Sequence, residues 1–215
     1  MVETDIEQYK DLVQGKEKRM QTHRIMLVDD ESGVLNALSR LLRLSPLEVA
    51  GKPCVAQVET FVSAREALAR AEERTFSLVI SDFRMPEMDG VAVLRRMREL
   101  QPDCSRVILS GYTDLNGLIG AINEAQIDRF IAKPWNDFEL ISALSQILQI
   151  RALRMENEAL ANQVRCERGD LSAEELEMKR LEQLEPGITR VQWGADGSVV
   201  MDADVLLPEP RGGWN

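Results

Sequence analysis

The segment Arg24-Ile25-Met26-Leu27-Val28-Asp29-Asp30-Glu31 decides the fold, because an apolar run just long enough for a strand stops on two acids. A helix-spaced pattern takes over at once. From Ser32 to Leu44 the apolar residues Val34, Leu35, Leu38, Leu41 and Leu42 recur as they would on a helix lying against a sheet. The unit then repeats. Val55 to Phe61 alternates like a strand, and Ser63 with Glu66 has the spacing of a capping box for a helix over Ala64 to Glu72. Phe76 to Ser81 is a third apolar run, ended by Asp82, a turn-rich loop to Gly90, and a helix through Val91, Leu94, Met97 and Leu100. Arg106 to Leu109, a helix from Leu115 to Ala125, and Arg129 to Ala132 complete the series, which Lys133-Pro134 stops. Five strands alternating with helices predict an α/β, doubly wound parallel sheet covered on both faces. In such a fold, ligands sit at the carboxyl ends of the strands.

Outward from this core, the 215 residues allow one ordinary domain plus an appendage, and 44% hydrophobic content suits a packed interior. No run approaches the roughly 18 apolar residues of a membrane span, and Met1 to Arg24 is polar and mixed in charge, so the expected location is cytoplasmic, with no membrane partner. Cys54, Cys104 and Cys166 stand singly and read as reduced residues, not as a metal or disulfide framework. The net charge of -10 opposes nucleic acid, and from residue 137 to 215 there are 15 acids against 8 bases.

Residues 1–23 read as an N-terminal arm and 24–150 as the domain. A fifth helix begins near Asn136 and does not stop at the domain edge. Its apolar residues Leu140, Ile141, Leu144, Ile147 and Leu148 can pack on the sheet, yet helix-forming sequence runs on to Arg168. In the far part Ile150, Leu153, Asn157, Leu160 and Val164 recur at spacings of three and four, a coiled-coil seam with Asn157 at an a position, which predicts a homodimer. The extension spans 151–185, with Ser172 and Glu175 set as a capping box for a short acidic helix. Residues 186–215 are expected to form a small hairpin, Ile188 to Trp193 with Ser198 to Met201, and a tail.

Asp29, Asp30 and Asp82 all arrive at one rim of the sheet, with Ser110 and Lys133 from two further strand ends. Crowded carboxylates call for a cation, and magnesium takes one or two carboxylates, water and phosphate oxygens; Asp30 and Asp82 can supply the carboxylates. With the charge offset, a carboxylate can attack phosphorus while Lys133 steadies the equatorial oxygens and Ser110 donates a hydrogen bond. Asp82 is the better nucleophile because its loop is open, whereas Asp29-Asp30 lead straight into a helix.

These residues, Val28-Asp29-Asp30-Glu31, Ser81-Asp82 through Met85-Pro86 to Asp89-Gly90, Leu109-Ser110-Gly111 and Lys133-Pro134, resemble the receiver domain of two-component response regulators. The likeness covers about residues 24 to 150 with each motif in order. It implies a flavodoxin-like fold of strand order 2-1-3-4-5. It implies that Asp82 accepts a phosphoryl group from a histidine kinase or phosphotransfer protein, and that Mg2+ is held by Asp30, Asp82 and the main-chain carbonyl of Arg84, with Asp29 assisting. It also implies that Ser110 and Phe130 act as switch residues, that Lys133 binds the phosphoryl group, and that the Lys133-Pro134 peptide is cis. Arg84 and Tyr112 depart from the chemotaxis-type members and bear on the lifetime of the acyl phosphate.

Each residue also has a plain reading. Asp29-Asp30 alone would be a helix N-cap, Phe130 a core aromatic, Trp135 and Trp193 packing residues, and His23, the single histidine, a solvated side chain. The combination favours a switch, not a turnover enzyme, whose extension serves dimerisation or a downstream protein partner. The alternatives are a magnesium-dependent phosphatase of the haloacid dehalogenase type, a flavodoxin-like cofactor binder, and a phosphate sink without output. The first expects Asp-x-Asp after its first strand, and the second a hydroxyl-rich phosphate loop; neither pattern occurs here.

Overall fold

The computed structural model describes residues 21–111 and 125–184. The expected N-terminal arm, most of the helix from Leu115, Tyr112, and the expected hairpin with Trp193 lie outside the described residues. In chain order the elements are β1 (Thr22–Val28), α1 (Ser32–Leu44), β2 (Leu47–Val49), β3 (Lys52–Phe61), α2 (Ala64–Glu73), β4 (Leu78–Asp82), α3 (Gly90–Leu100), β5 (Ser105–Gly111), β6 (Arg129–Lys133), α4 (Asp137–Glu167) and α5 (Ala173–Leu184).

The sheet runs β2-β3-β1-β4-β5-β6. Its five parallel strands have the order expected from the sequence, with β1 between β3 and β4. The sixth strand, β2, is antiparallel to β3 and was not anticipated. Val49 faces Lys52 across a two-residue turn, Ala50-Gly51, in which both residues have positive φ (54° and 70°). That is the conformation whose twist suits a tight hairpin.

Period-two alternation along the strands divides the interior into two layers. Ile25 and Leu27 of β1 point to the face covered by Leu35, Leu38 and Leu42 of α1 and by Leu140, Leu144 and Leu148 of α4. Met26 and Val28 point to the other face, under Ala64, Ala67 and Ala71 of α2 and Leu94 and Met97 of α3. The alanine stripe brings α2 close to the sheet, and Gln101 staples its end. The buried Gln101 amide accepts from the Phe76 N–H and donates to the Ala71 and Arg74 carbonyls, at 2.6 to 2.8 Å.

Helix α4 starts at Asn136, whose side chain accepts from the Glu139 N–H. It continues for 31 residues, ~46 Å at 1.5 Å per residue; Ala152 is partly buried against the sheet-packing core, but the fully buried apolar residues end at Leu148. Beyond that point Ile150, Leu153, Asn157, Leu160 and Val164 are exposed, and Asn162 is buried instead. Gly169, with a φ of 79°, ends the helix in the left-handed conformation that glycine favours. The capping box at the start of α5 forms as expected, with reciprocal bonds between Ser172 and Glu175 of 2.8 and 3.1 Å.

Two expectations are corrected. Ser63 makes no side-chain cap bond to its own helix; its hydroxyl donates to Glu87 Oε2 at 3.1 Å, because the loop after β4 comes within reach. His23 is not solvated but 2% exposed, with Nε2 buried and unpaired, because β1 begins two residues earlier than its apolar run suggested.

Candidate functional site

Register places the predicted residues on one rim. Val28 lies opposite Ser81, so Asp29 and Asp82 leave adjacent strands side by side. Asp82 lies opposite Leu109, and Gly111 opposite Lys133, which brings Ser110 and Lys133 to the same end. β4 is flanked by β1 and β5, and all five of its residues are buried. A nucleophile at the end of such a strand is held by two ladders.

The three charged groups meet in one contact. The Lys133 ammonium donates to Asp29 Oδ2 at 2.8 Å and to Asp82 Oδ1. The second oxygen of each carboxylate takes a main-chain donor: Glu31 N–H to Asp29 Oδ1 at 2.9 Å, and Arg84 N–H to Asp82 Oδ2 at 2.8 Å. Asp29 is 1% exposed and Asp82 7%. Asp30 is exposed on the same rim and does not join this contact.

One ammonium shared by two buried carboxylates leaves the site short of positive charge. Burial raises the Asp29 carboxyl above its usual range despite the bonds from Lys133 and Glu31. Burial opposes the charged form of Lys133 too, but the hydrogen bonds to Asp29 and Asp82 outweigh it and hold the ammonium above the ordinary lysine value. The rim therefore favours an added cation. Among the described residues no three acidic, histidine or cysteine side chains converge to ligate a metal by themselves. A divalent ion here would complete its shell from water, main chain and phosphoryl oxygens, as magnesium does. The donor set fits it.

The remaining predicted residues fall close by. Ser110 is 1% exposed, with its hydroxyl 3.4 Å from the Gly111 carbonyl. Phe130 is half-buried on β6, against the layer that contains Ile108. Arg84 is exposed, and the Lys133-Pro134 peptide is cis. Gly90, in the sequence only one member of a motif, has a strict place: a Cβ there would lie 2.0 Å from the Asp82 carbonyl oxygen. The Asp-Gly pair was the available signal, since Asp89 caps α3 through the Ala92 N–H and the glycine follows immediately.

Comparison with known proteins agrees with this fold. The family model for the response regulator receiver domain matches residues 25–145. The hydrogenase transcriptional regulatory protein HoxA of Bradyrhizobium diazoefficiens is 35% identical over 147 residues, which are 68% of this chain and 28% of HoxA. The chain thus spans between a quarter and a third of that relative. A solved protein from Neptuniibacter caesariensis is 39% identical over 65% of this chain and 96% of its own, with a TM-score of 0.56. The signal receiver domain of an HD domain-containing protein from Pseudomonas fluorescens Pf-5 is 34% identical over 62% of this chain and 98% of its own, with a TM-score of 0.53.

Proposed function

We infer, from a chain that belongs to the response regulator receiver family over residues 25–145, that Asp82 is the phosphoacceptor of a two-component switch. The observation that supports it best is the Lys133 ammonium bridging Asp29 and Asp82. A carboxylate that receives a dianionic phosphoryl group needs an adjacent cation to offset the charge, and β6 delivers one.

In the proposed step an Asp82 carboxylate oxygen attacks the phosphorus of a phosphohistidine on a histidine kinase or phosphotransfer protein. The new O–P bond forms as the N–P bond breaks, and the imidazole leaves with the electron pair of that bond. Lys133 follows the developing charge onto the phosphoryl oxygens, and the Ser110 hydroxyl lies one residue past the position opposite Asp82 on β5, within the same rim. Magnesium, held by Asp30, Asp82 and the Arg84 carbonyl with Asp29 assisting, would neutralise the carboxylates and polarise the phosphoryl oxygens. Ser110 and Phe130 then read the modified state, while Arg84 and Tyr112 tune its lifetime. The family membership favours this reading over the haloacid dehalogenase alternative.

The output belongs to the extension. We assign residues 24–150 to the receiver, with 1–23 as an arm, 151–185 as the helical extension and 186–215 as hairpin and tail. The exposed row Ile150, Leu153, Asn157, Leu160 and Val164 is the surface for homodimerisation, or else for a downstream protein. The acidic balance beyond residue 137 supports a protein partner over nucleic acid, and no described helix is long and apolar enough to cross a membrane. The proposed role is cytoplasmic signalling, not turnover. Exposure to acetyl phosphate or beryllofluoride with magnesium tests it. The wild type should form the Asp82 adduct and Asp82→Asn should not; absence of any magnesium-dependent adduct on the wild type overturns it.

A further inference from the structure

The exit of α4 from the domain is braced from two sides. Leu148 is the last fully buried apolar residue of α4, and Ala152, partly buried against the same core, is the last to touch it, so an unbraced helix would pivot within this turn. On one flank the N–H groups of Glu48 in β2 and of Ala50 in the turn that follows it face α4. They donate to Ser145 Oγ at 3.1 Å and to Gln149 Oε1. On the other flank Arg151 Nε donates to the Asp103 carbonyl at 2.8 Å, and Arg154 pairs with Asp128 at 3.1 Å. Asp103 lies two residues before β5 and Asp128 immediately before β6, so both anchors adjoin the sheet.

Helical geometry shows what these contacts leave open. At roughly 100° per residue, Ser145 and Gln149 lie about 80° to one side of the mean direction of Ile150, Leu153, Asn157, Leu160 and Val164. Arg154 lies about 80° to the other side. The two flanks thus frame the apolar row and turn it away from the sheet, consistent with Ile150 being 50% and Leu153 49% exposed. Asp128 also accepts from the Arg106 N–H at 2.8 Å, which ties the Arg154 anchor to the β5–β6 pair whose far end carries Lys133.

We propose that the β2 hairpin with Ser145 and Gln149, and Asp103 and Asp128 with Arg151 and Arg154, form a collar that fixes the rotation and direction of the exit helix. These four side chains of α4 are positioning residues: they aim the apolar row at its partner instead of contacting it. The collar makes the distal helix a rigid arm of the receiver, an inference that rests on the extension as output only for its use.

The test reads the helix itself and needs no phosphoryl donor. Spin labels are placed on Cys166, half-buried near the end of α4, and on an exposed Glu72→Cys at the end of α2, while Cys54 and Cys104 are buried. Labelled full-length chain is diluted in unlabelled chain so that distances between copies do not contribute. The unmodified receiver should give one narrow distance distribution. Arg151→Ala/Arg154→Ala should at least double its width, Ser145→Ala/Gln149→Ala should broaden it in part, and Arg154→Lys should restore the wild-type width. A broad distribution in the wild type, or equal widths in all variants, overturns the collar. Should the arginine double variant fail to fold, the Ser145/Gln149 pair on the surface decides. Loss of the dimer with an intact narrow distribution would instead count against the output reading alone.

Discussion

Gly90 sits directly against the main chain of Asp82, so that a Cβ at position 90 would lie 2.0 Å from the Asp82 carbonyl oxygen and 3.0 Å from Ser81 Oγ. Backbone cannot yield as a side chain end can. Gly90→Ala should displace the end of β4 and with it Asp82, the proposed phosphoacceptor. A shift of ~1 Å at a reacting group costs on the order of 100-fold in rate. Acetyl phosphate labelling should fall by about that factor. Gly33 is the control, since nothing lies within 4 Å of its Cβ position, and Gly33→Ala in α1 should add ~0.5–1 kcal/mol without loss of labelling.

Lys133 is the one ammonium between two buried carboxylates. Lys133→Met should therefore destabilise the fold by about 3 kcal/mol at neutral pH in chelator, because Asp29 and Asp82 would face each other unpaired. Magnesium should restore more stability to this variant than it adds to the wild type. Urea denaturation with and without the ion measures both, and equal magnesium effects would refute the charge-deficit account of the rim.

His23 couples stability to pH. Burial, and then the Arg151 guanidinium, lowers its pKa from the ordinary 6.5. Between the lowered value and 6.5 the unfolded chain binds the proton and the folded chain does not, so stability must fall as pH drops below about 6.5. His23→Leu should flatten that part of the profile. Urea midpoints at a series of pH values on both proteins give the slope, and parallel curves would show that His23 is not its source.

Gln101 carries no chemistry, but it satisfies one donor and two acceptors in the interior between α2 and β4. Gln101→Ala should cost ~2–4 kcal/mol, because the partners are left without hydrogen bonds. Adduct formation by the folded fraction should be unchanged. A loss below 1 kcal/mol would mean that water replaces the amide.

Leu160 is 55% exposed, so Leu160→Glu should change the stability of a single chain by no more than ~0.5 kcal/mol. Light scattering should nevertheless show the chain's mass falling from dimer to monomer. An unchanged mass would remove the apolar row from the assembly.

What the sequence disclosed and what it hid have physical causes. The five parallel strands were legible because both faces of each are covered, which leaves unbroken apolar runs such as Leu78-Val79-Ile80. The site was legible because each acid or lysine stands at the end of such a run. β2 was hidden because three residues make no periodic signal and because Ala50, unlike glycine or asparagine, does not advertise a positive φ. His23 was misread because its burial comes from Thr22 pairing with Val55 and from α4 returning beneath the sheet, both remote in sequence. The bonds of Arg151 and Arg154 span 48 and 26 residues and had no local trace.

The arrangement of β4 between β1 and β5 also sets a hierarchy of opening. Strand residues buried on both sides exchange their amides only when the whole domain unfolds, whereas a helix with little tertiary cover opens in its own short-lived excursions. Asp82 terminates a strand of the first kind, and the last turns of α4 belong to the second. An acyl phosphate formed on Asp82, as proposed, would therefore be sheltered from local breathing, and its hydrolysis would be confined to water that enters through the rim. Proteases would meet the opposite gradient, cutting the far end of α4 long before the acid-bearing strand gives way.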